Sequence, residues 1–102
     1  MAYVSTITKQ PWEVFFVESD FADRIDDGET ISDIDSTVVA YNSANEDVSD
    51  DILDLTELAV DGTILKVPVT GGVDQQNYVL AFRAHISDTK KLENDHRLKV
   101  RD

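Results

Sequence analysis

The side chains that could do chemistry in this chain are 21 carboxylates and two histidines, with no cysteine at all. Paired carboxylates roughly 5–10 Å apart in a cleft can carry out acid–base hydrolysis. With this many acids some pair reaches that spacing by chance, so the spacing alone assigns no catalytic residue. Asp47, Asp50, Asp51 and Asp54 offer the clustered oxygens a hard cation needs, but the D-x-D-x-D-G order of a calcium loop is absent. In "DRIDDGE" the acids Asp26 and Asp27 are adjacent where that order needs them two apart. Asp33 and Asp35 would share one strand face, and two ligands are too few. His85 and His96 could be cross-strand neighbours on a hairpin, yet neither has the cysteine or H-E-x-x-H company of a zinc site. No serine sits in a G-x-S-x-G elbow.

The stretch "VPVTGGVDQQNYVLAF" carries Gly71-Gly72 between two strand-like runs. It lacks the G-x-G-x-x-G and P-loop orders and has no following helix to meet a phosphate, and Asp74 would repel one. These glycines therefore read as a turn. The sequence assigns no catalytic, cofactor-binding or metal-binding residue and implies no cofactor.

What remains is surface. The formal net charge is −12, and between Glu13 and Asp61 acids outnumber bases 16 to one. From Arg83 to Asp102 six bases face four acids. A chain this acidic is repelled by phosphate backbones, which excludes free nucleic acid as a ligand. The uneven split suits head-to-tail contacts between copies, the basic end of one meeting the acidic face of the next. The plainer alternative is an ordinary solvated surface. The residues singled out for protein contacts are Trp12 and Phe16 near the start, and Arg97, Lys99 and Arg101 near the end. Trp12 reads as a core or interface anchor.

The elements that must hold these residues are strands. At 102 residues the chain has room for one domain, and its 41% hydrophobic and 29% charged residues are those of a folded globular chain. Residues 1–10 read as a flexible N-terminal arm ended by Pro11, and 11–102 as a single domain. "WEVFFVESDF" predicts a strand with Trp12, Val14 and Phe16 on one face and Phe15, Val17 and Phe21 on the other; it should be largely buried or pair with another copy. Ala22–Ile25 can form one helical turn before the Asp27-Gly28 turn, where glycine accepts positive φ without penalty. "TISDIDSTVVAY" predicts extended chain broken or bulged near Asp33, with Val38 and Ala40 opposite Val39 and Tyr41. "NSANEDVSDD" reads as an exposed loop. "ILDLTELAV" suits either a helical stripe or a strand, with strand preferred, because Asp61-Gly62 then closes a hairpin onto "TILKVPVT". There Thr63, Leu65, Val67 and Val69 share a face, and Pro68 places the strand at a sheet edge, at least locally. "NYVLAFRAHIS" puts Tyr78, Leu80, Phe82, Ala84 and Ile86 on one face. "DTKKLEND" reads as a polar turn, and "HRLKVRD" as a last strand with His96, Leu98 and Val100 inward. Six or seven short strands with little helix predict an all-β, antiparallel, immunoglobulin-like β-sandwich.

Two blocks at this spacing, "KQPWEVFFVESDFADRIDDGETI" and "TILKVPVTGGVDQQNYVLAFRAHIS", resemble a family of roughly hundred-residue phage and prophage virion proteins, tail-fibre or head–tail adaptor-like. The resemblance rests on Lys9-Gln10-Pro11, on Gly28-Glu29-Thr30-Ile31, and on Gly71-Gly72 before Tyr78. It covers residue 9 to the end with a divergent acidic middle. The family often has a further glycine where this chain has Asp74-Gln75-Gln76-Asn77, and an aromatic residue at the end of the acidic strand, a place Phe21 can fill. The resemblance implies an immunoglobulin-like sandwich and a non-enzymatic structural role as an adaptor in the tail or at the head–tail junction. It also implies other virion proteins as partners, self-association into a ring, and residence in the virion after synthesis in the host cytoplasm. A calcium- or carbohydrate-binding adhesion module is the alternative. No membrane partner is expected: no apolar run approaches the ~20 residues that span a bilayer, and the N-terminus lacks the basic flank and apolar run of a signal peptide.

Overall fold

The computed structural model describes residues 3–102. Among these residues seven strands form two sheets. The first has the order β1-β7-β6-β3, from β1 (Ser5–Lys9), β7 (Lys90–Val100), β6 (Asn77–Ser87) and β3 (Thr37–Tyr41); the second has the order β2-β5-β4, from β2 (Phe15–Asp20), β5 (Ile64–Val69) and β4 (Ala59–Asp61). All pairings are antiparallel except β1 with β7. The all-β sandwich predicted from alternation is the observed architecture, consistent with the immunoglobulin-like reading.

The reason is visible strand by strand. Val38 and Ala40 of β3, Leu65, Val67 and Val69 of β5, Tyr78, Leu80, Phe82 and Ala84 of β6, and Leu98 and Val100 of β7 are all buried in one cluster. They alternate with residues of the outer faces, so each sheet turns one apolar row inward and the two rows interlock. Burying each such Val, Leu or Phe contributes about 1.5–3 kcal/mol. Phe21 closes the end of β2 with no exposed surface, and its N–H donates to Thr63 O at 2.9 Å.

Three elements differ from the sequence expectation, and two more resolve within it. Ser5–Lys9, expected in a loosely held arm, are β1, with Ile7 packed on the core and Val4 N–H donating to Asp95 O; Met1 and Ala2 of that arm lie outside the described residues. "DTKKLEND" is mostly strand: β7 starts at Lys90, and the turn shrinks to Asp88-Thr89 between Ser87 and Lys90. "ILDLTELAV" is only a strand at its end. A one-turn helix α1 (Ser49–Ile52) and a 3-10 turn (Leu55–Glu57) precede β4, burying both Ile52 and Leu53. β5 is the middle strand of its sheet, but its edge character at Pro68 is local as predicted. β4 pairs only Ile64–Lys66, and beyond it Asp54 N–H donates to Pro68 O, so the missing proline donor faces a side with no strand. The 31–36 segment breaks rather than bulges: Ile31 is buried, Ile34 is 88% exposed, and Ser32 Oγ donates to Asp35 in a tight turn.

Candidate interaction surface

The turn between β1 and β2 starts at a lysine with no exposed surface. Lys9 Nζ donates to Gln10 O at 2.9 Å and Pro11 O at 3.1 Å. Burial pulls the ammonium pKa down from its ordinary value, and the Glu13 carboxylate works against that shift. Gln10 N–H donates to Glu13 Oε1 at 2.7 Å, and Glu13 N–H returns to Gln10 O at 3.1 Å. Both ends of the turn are thus tied, and Trp12 at its tip stands 92% exposed.

The turn feeds β2, an outer strand of its sheet. Val17 and Ser19 point into the core, so the other row points out: Val14 just before the strand is 62% exposed and Phe16 within it 53%. Lys66 Nζ lies 5.7 Å from the Phe16 ring centroid, a cation–π contact on the outer face. Glu18 and Asp20 continue the row, both exposed. The Phe21–Thr63 bond fixes which backbone groups face β5, namely those of Phe15, Val17, Ser19 and Phe21. The N–H and C=O groups of Phe16, Glu18 and Asp20 therefore point away from the sheet. Among the described residues no backbone group pairs with them.

Arg97, Lys99 and Arg101 lie elsewhere. Arg97 is flanked by Val79 and Thr6, and Lys99 by Asn77 and Thr8; both are half-buried on the outer face of the four-stranded sheet. Arg101 is a structural tie, donating to Val100 O at 2.7 Å, Asn77 Oδ1 at 2.8 Å and Gln76 O at 3.1 Å. The structure does not gather the five residues into one patch. Phe16 lies on one outer face of the sandwich, Trp12 at the turn leading into it, and Arg97 and Lys99 on the opposite face. Val14 and Lys66 belong with the first group and were not singled out from sequence. The i, i+2 spacing of Trp12, Val14 and Phe16 was the available signal.

The residues weighed for chemistry have structural occupations. Asp47 accepts from Ser49 N–H and Oγ–H, and Asp54 from Thr56 N–H and Oγ1–H, each holding a short helical turn. These bonds, above all from the Ser49 side chain, keep the Asp47 pKa below the usual carboxylate value. His85 and His96 are not neighbours: β6 and β7 do form a hairpin, but its register sets Leu80 opposite His96 and Lys91 opposite His85. His85 is flanked by Asp88 at 3.5 Å and Asp35 at 3.9 Å. His96 is buried between the sheets, its Nδ1 2.7 Å from Ser5 Oγ and its Nε2 2.8 Å from Ser19 Oγ, with its ring edge-on to Phe82. Asn94 Nδ2 also donates to Ser19, at 3.0 Å. One serine of β2 thereby ties two side chains of β7, stitching one sheet to the other. Burial lowers the His96 pKa. Asp95 is buried on the opposite face, in a hollow it lines with Tyr3, Tyr41, Arg83 and Glu93. Its Oδ1 finds no donor among the described residues, and burial, reinforced by Glu93, raises its pKa. Among the described residues no three His, Asp or Glu side chains converge to hold a metal ion.

The two-glycine loop is packed against its own protein. A Cβ on Gly71 would lie 1.9 Å from Asp51 O, the backbone of α1. Thr70 and Gly71 N–H both donate to Ile52 O, at 2.8 and 3.2 Å. Gly72 takes φ +127° with Val100 Cγ2 2.7 Å from where a Cβ would go. The loop turns the chain from one sheet to the other, with the Asp51 carbonyl and the Val100 side chain packed against its two glycines.

One family model, that of the podophage GP4 fiber-tail adaptor protein gp77, matches residues 9–99. No curated protein matches the chain.

Proposed function

Since the chain belongs to the podophage GP4 fiber-tail adaptor protein gp77 family, and so to the structural parts of a phage tail, we propose that it acts as a connector in the tail or at the head–tail junction, by protein–protein contact and without catalysis. The observation that carries this reading is the exposed row Trp12, Val14, Phe16. A small domain that packs the inward rows of both sheets into one core has little reason to leave two aromatic residues of an outward row in water, unless they are covered in an assembly. The two outer faces have different characters. Acids and aromatics crowd the β2 side, while Arg97 and Lys99 stand on the other. That polarity suits a part lying between two neighbours, either other virion proteins or copies of itself in a ring. Synthesis in the host cytoplasm belongs to the same reading.

The test is complementation of a phage lacking this gene, with wild-type protein or with Trp12→Ser plus Phe16→Glu. Particles are purified and scored by mass spectrometry for the adaptor and by electron microscopy for fibres. The double variant, folded in isolation, is expected to be missing from particles or to yield fibreless ones. Fully fibred, infectious particles from the variant would refute the assigned surface. Sedimentation of the pure protein at low and high salt then separates self-association from partner docking, since contacts between oppositely charged faces weaken with salt.

A further inference from the structure

We propose that the outer edge of β2 is completed by an extended segment of a partner virion protein, one that alternates apolar with basic residues and adds to the three-stranded sheet as a fourth strand. This rests on the adaptor reading above and names the kind of partner it docks.

Three observations converge on that edge. The first is its backbone: Phe16, Glu18 and Asp20 point their N–H and C=O groups away from β5 and have no backbone partner among the described residues. The second is the selective kind of protection it has. β2 runs six residues and pairs with β5 without a register shift or a proline, so the charges of Glu18 and Asp20 are all that blunts it, and those repel like-charged strands while admitting a basic one. The other edges are less inviting. The free side of β3 is taken by Val48 N–H donating to Ala40 O and Ala40 N–H donating to Ser49 Oγ. β4 has only three residues, and the exposed side chains of β1 are serine and threonines alone. The third is side-chain chemistry. The outward row opens with Trp12, Val14 and Phe16 and continues with Glu18 and Asp20, with Asp23 just beyond. The nearby cation Lys66 is held over Phe16. In strand addition, main-chain hydrogen bonds supply affinity and alternate side chains supply selectivity. An incoming strand that set apolar groups on the aromatic row and ammonium or guanidinium groups beside Glu18 and Asp20 would meet both, and it would neutralise charge that the acidic half accumulates.

Trp12 is the only tryptophan, so its fluorescence reports on this spot alone. The probes are overlapping synthetic peptides of about a dozen residues, tiled across the other virion proteins encoded with this chain and titrated into the intact protein. The expected result is a blue shift of Trp12 emission with a peptide that alternates apolar and basic residues. Hydrogen exchange should slow at the Phe16, Glu18 and Asp20 amides, while Val17 and Ser19, already in the ladder, change little. Glu18→Lys with Asp23→Lys, two exposed carboxylates that make no hydrogen bond among the described residues, should weaken that peptide at least about 10-fold; Asp20 is left in place because it accepts from Ala22 N–H and Thr63 Oγ1–H. The proposal fails if no tiled peptide shifts the emission, if protection falls on other residues, if the double reversal leaves affinity unchanged, or if the shift follows protein concentration without peptide, which would make a second copy the occupant. Particle incorporation separates the two readings. A chain found in fibred particles with no peptide engaging β2 keeps its adaptor role and loses this edge; a chain absent from particles loses the adaptor role whatever the peptides do.

Discussion

Gly71→Ala is the sharpest test of what the paired glycines do. The new methyl carbon would sit 1.9 Å from Asp51 O, a backbone atom of α1 that cannot rotate aside. Either α1 or the 70–72 loop must move by more than an ångström. Overpacking of this kind costs about 1–3 kcal/mol. The movement also weakens the Thr70 and Gly71 bonds to Ile52 O, worth about 0.5–1.5 kcal/mol each. A loss of about 2–4 kcal/mol follows, against a total of roughly 5–15 kcal/mol for a domain this size. In a melt that is a fall of about 10–30 °C. The assay is urea and thermal unfolding followed by far-ultraviolet circular dichroism, because exposed Trp12 is a poor reporter of folding. Gly62→Ala is the control: nothing lies within 4 Å of its Cβ, so only positive-φ strain of about 1 kcal/mol applies. If Gly71→Ala lost less than about 0.5 kcal/mol, or no more than Gly62→Ala, the packing account of this loop would be wrong and a role in binding would need a fresh hearing.

Other outcomes follow from the same geometry. Ser19→Ala leaves Asn94 and His96 without their inter-sheet partner and should cost about 2–4 kcal/mol by urea titration, unfolded-side exposure being equal. His96 has a lowered folded pKa, so below about pH 6.5 the unfolded chain binds a proton that the folded one refuses; stability should fall as pH drops through that range, and the slope should flatten in His96→Asn. Asp95 is the reverse: its raised folded pKa means the native state holds a proton longer, so its contribution worsens as pH rises above about 4. Asp95→Asn should be more stable than wild type at pH 7, with the gain vanishing in acid. Trp12→Ala should change stability by no more than about 0.5 kcal/mol, since the side chain touches water on nearly all sides; a larger loss in a chemical melt would mean Trp12 belongs to the core.

Period-two alternation was enough to sort the side chains of β3, β5 and β6 into their two rows and to choose the inward row in the second half of β7, because a strand buried on one face leaves that signature in the chain. The hairpin at Asp61-Gly62 and the helical turn after Phe21 are local and were equally legible. For β2 the pattern showed two apolar rows but could not say which one met another sheet. The structure turned Val17, Ser19 and Phe21 inward and left Trp12, Val14 and Phe16 in water, because only the first row faces His96 and the β6–β7 core. Nothing in the sequence marked Ser19, between Val17 and Phe21, as a tie between sheets, because its partners lie more than seventy residues away.

The sequence by itself determined an acidic all-β chain whose alternating rows can close as two sheets, together with the turns that local backbone preference dictates. Tertiary structure alone decided that Ser5–Lys9 pair with β7, that Lys9 is buried while Trp12 is not, that Gly71 must be glycine, and that β2 keeps an open edge. Each of these depends on which distant segment comes alongside. Such contacts are set by the packing of the whole chain, and a residue's neighbours in sequence carry no record of them.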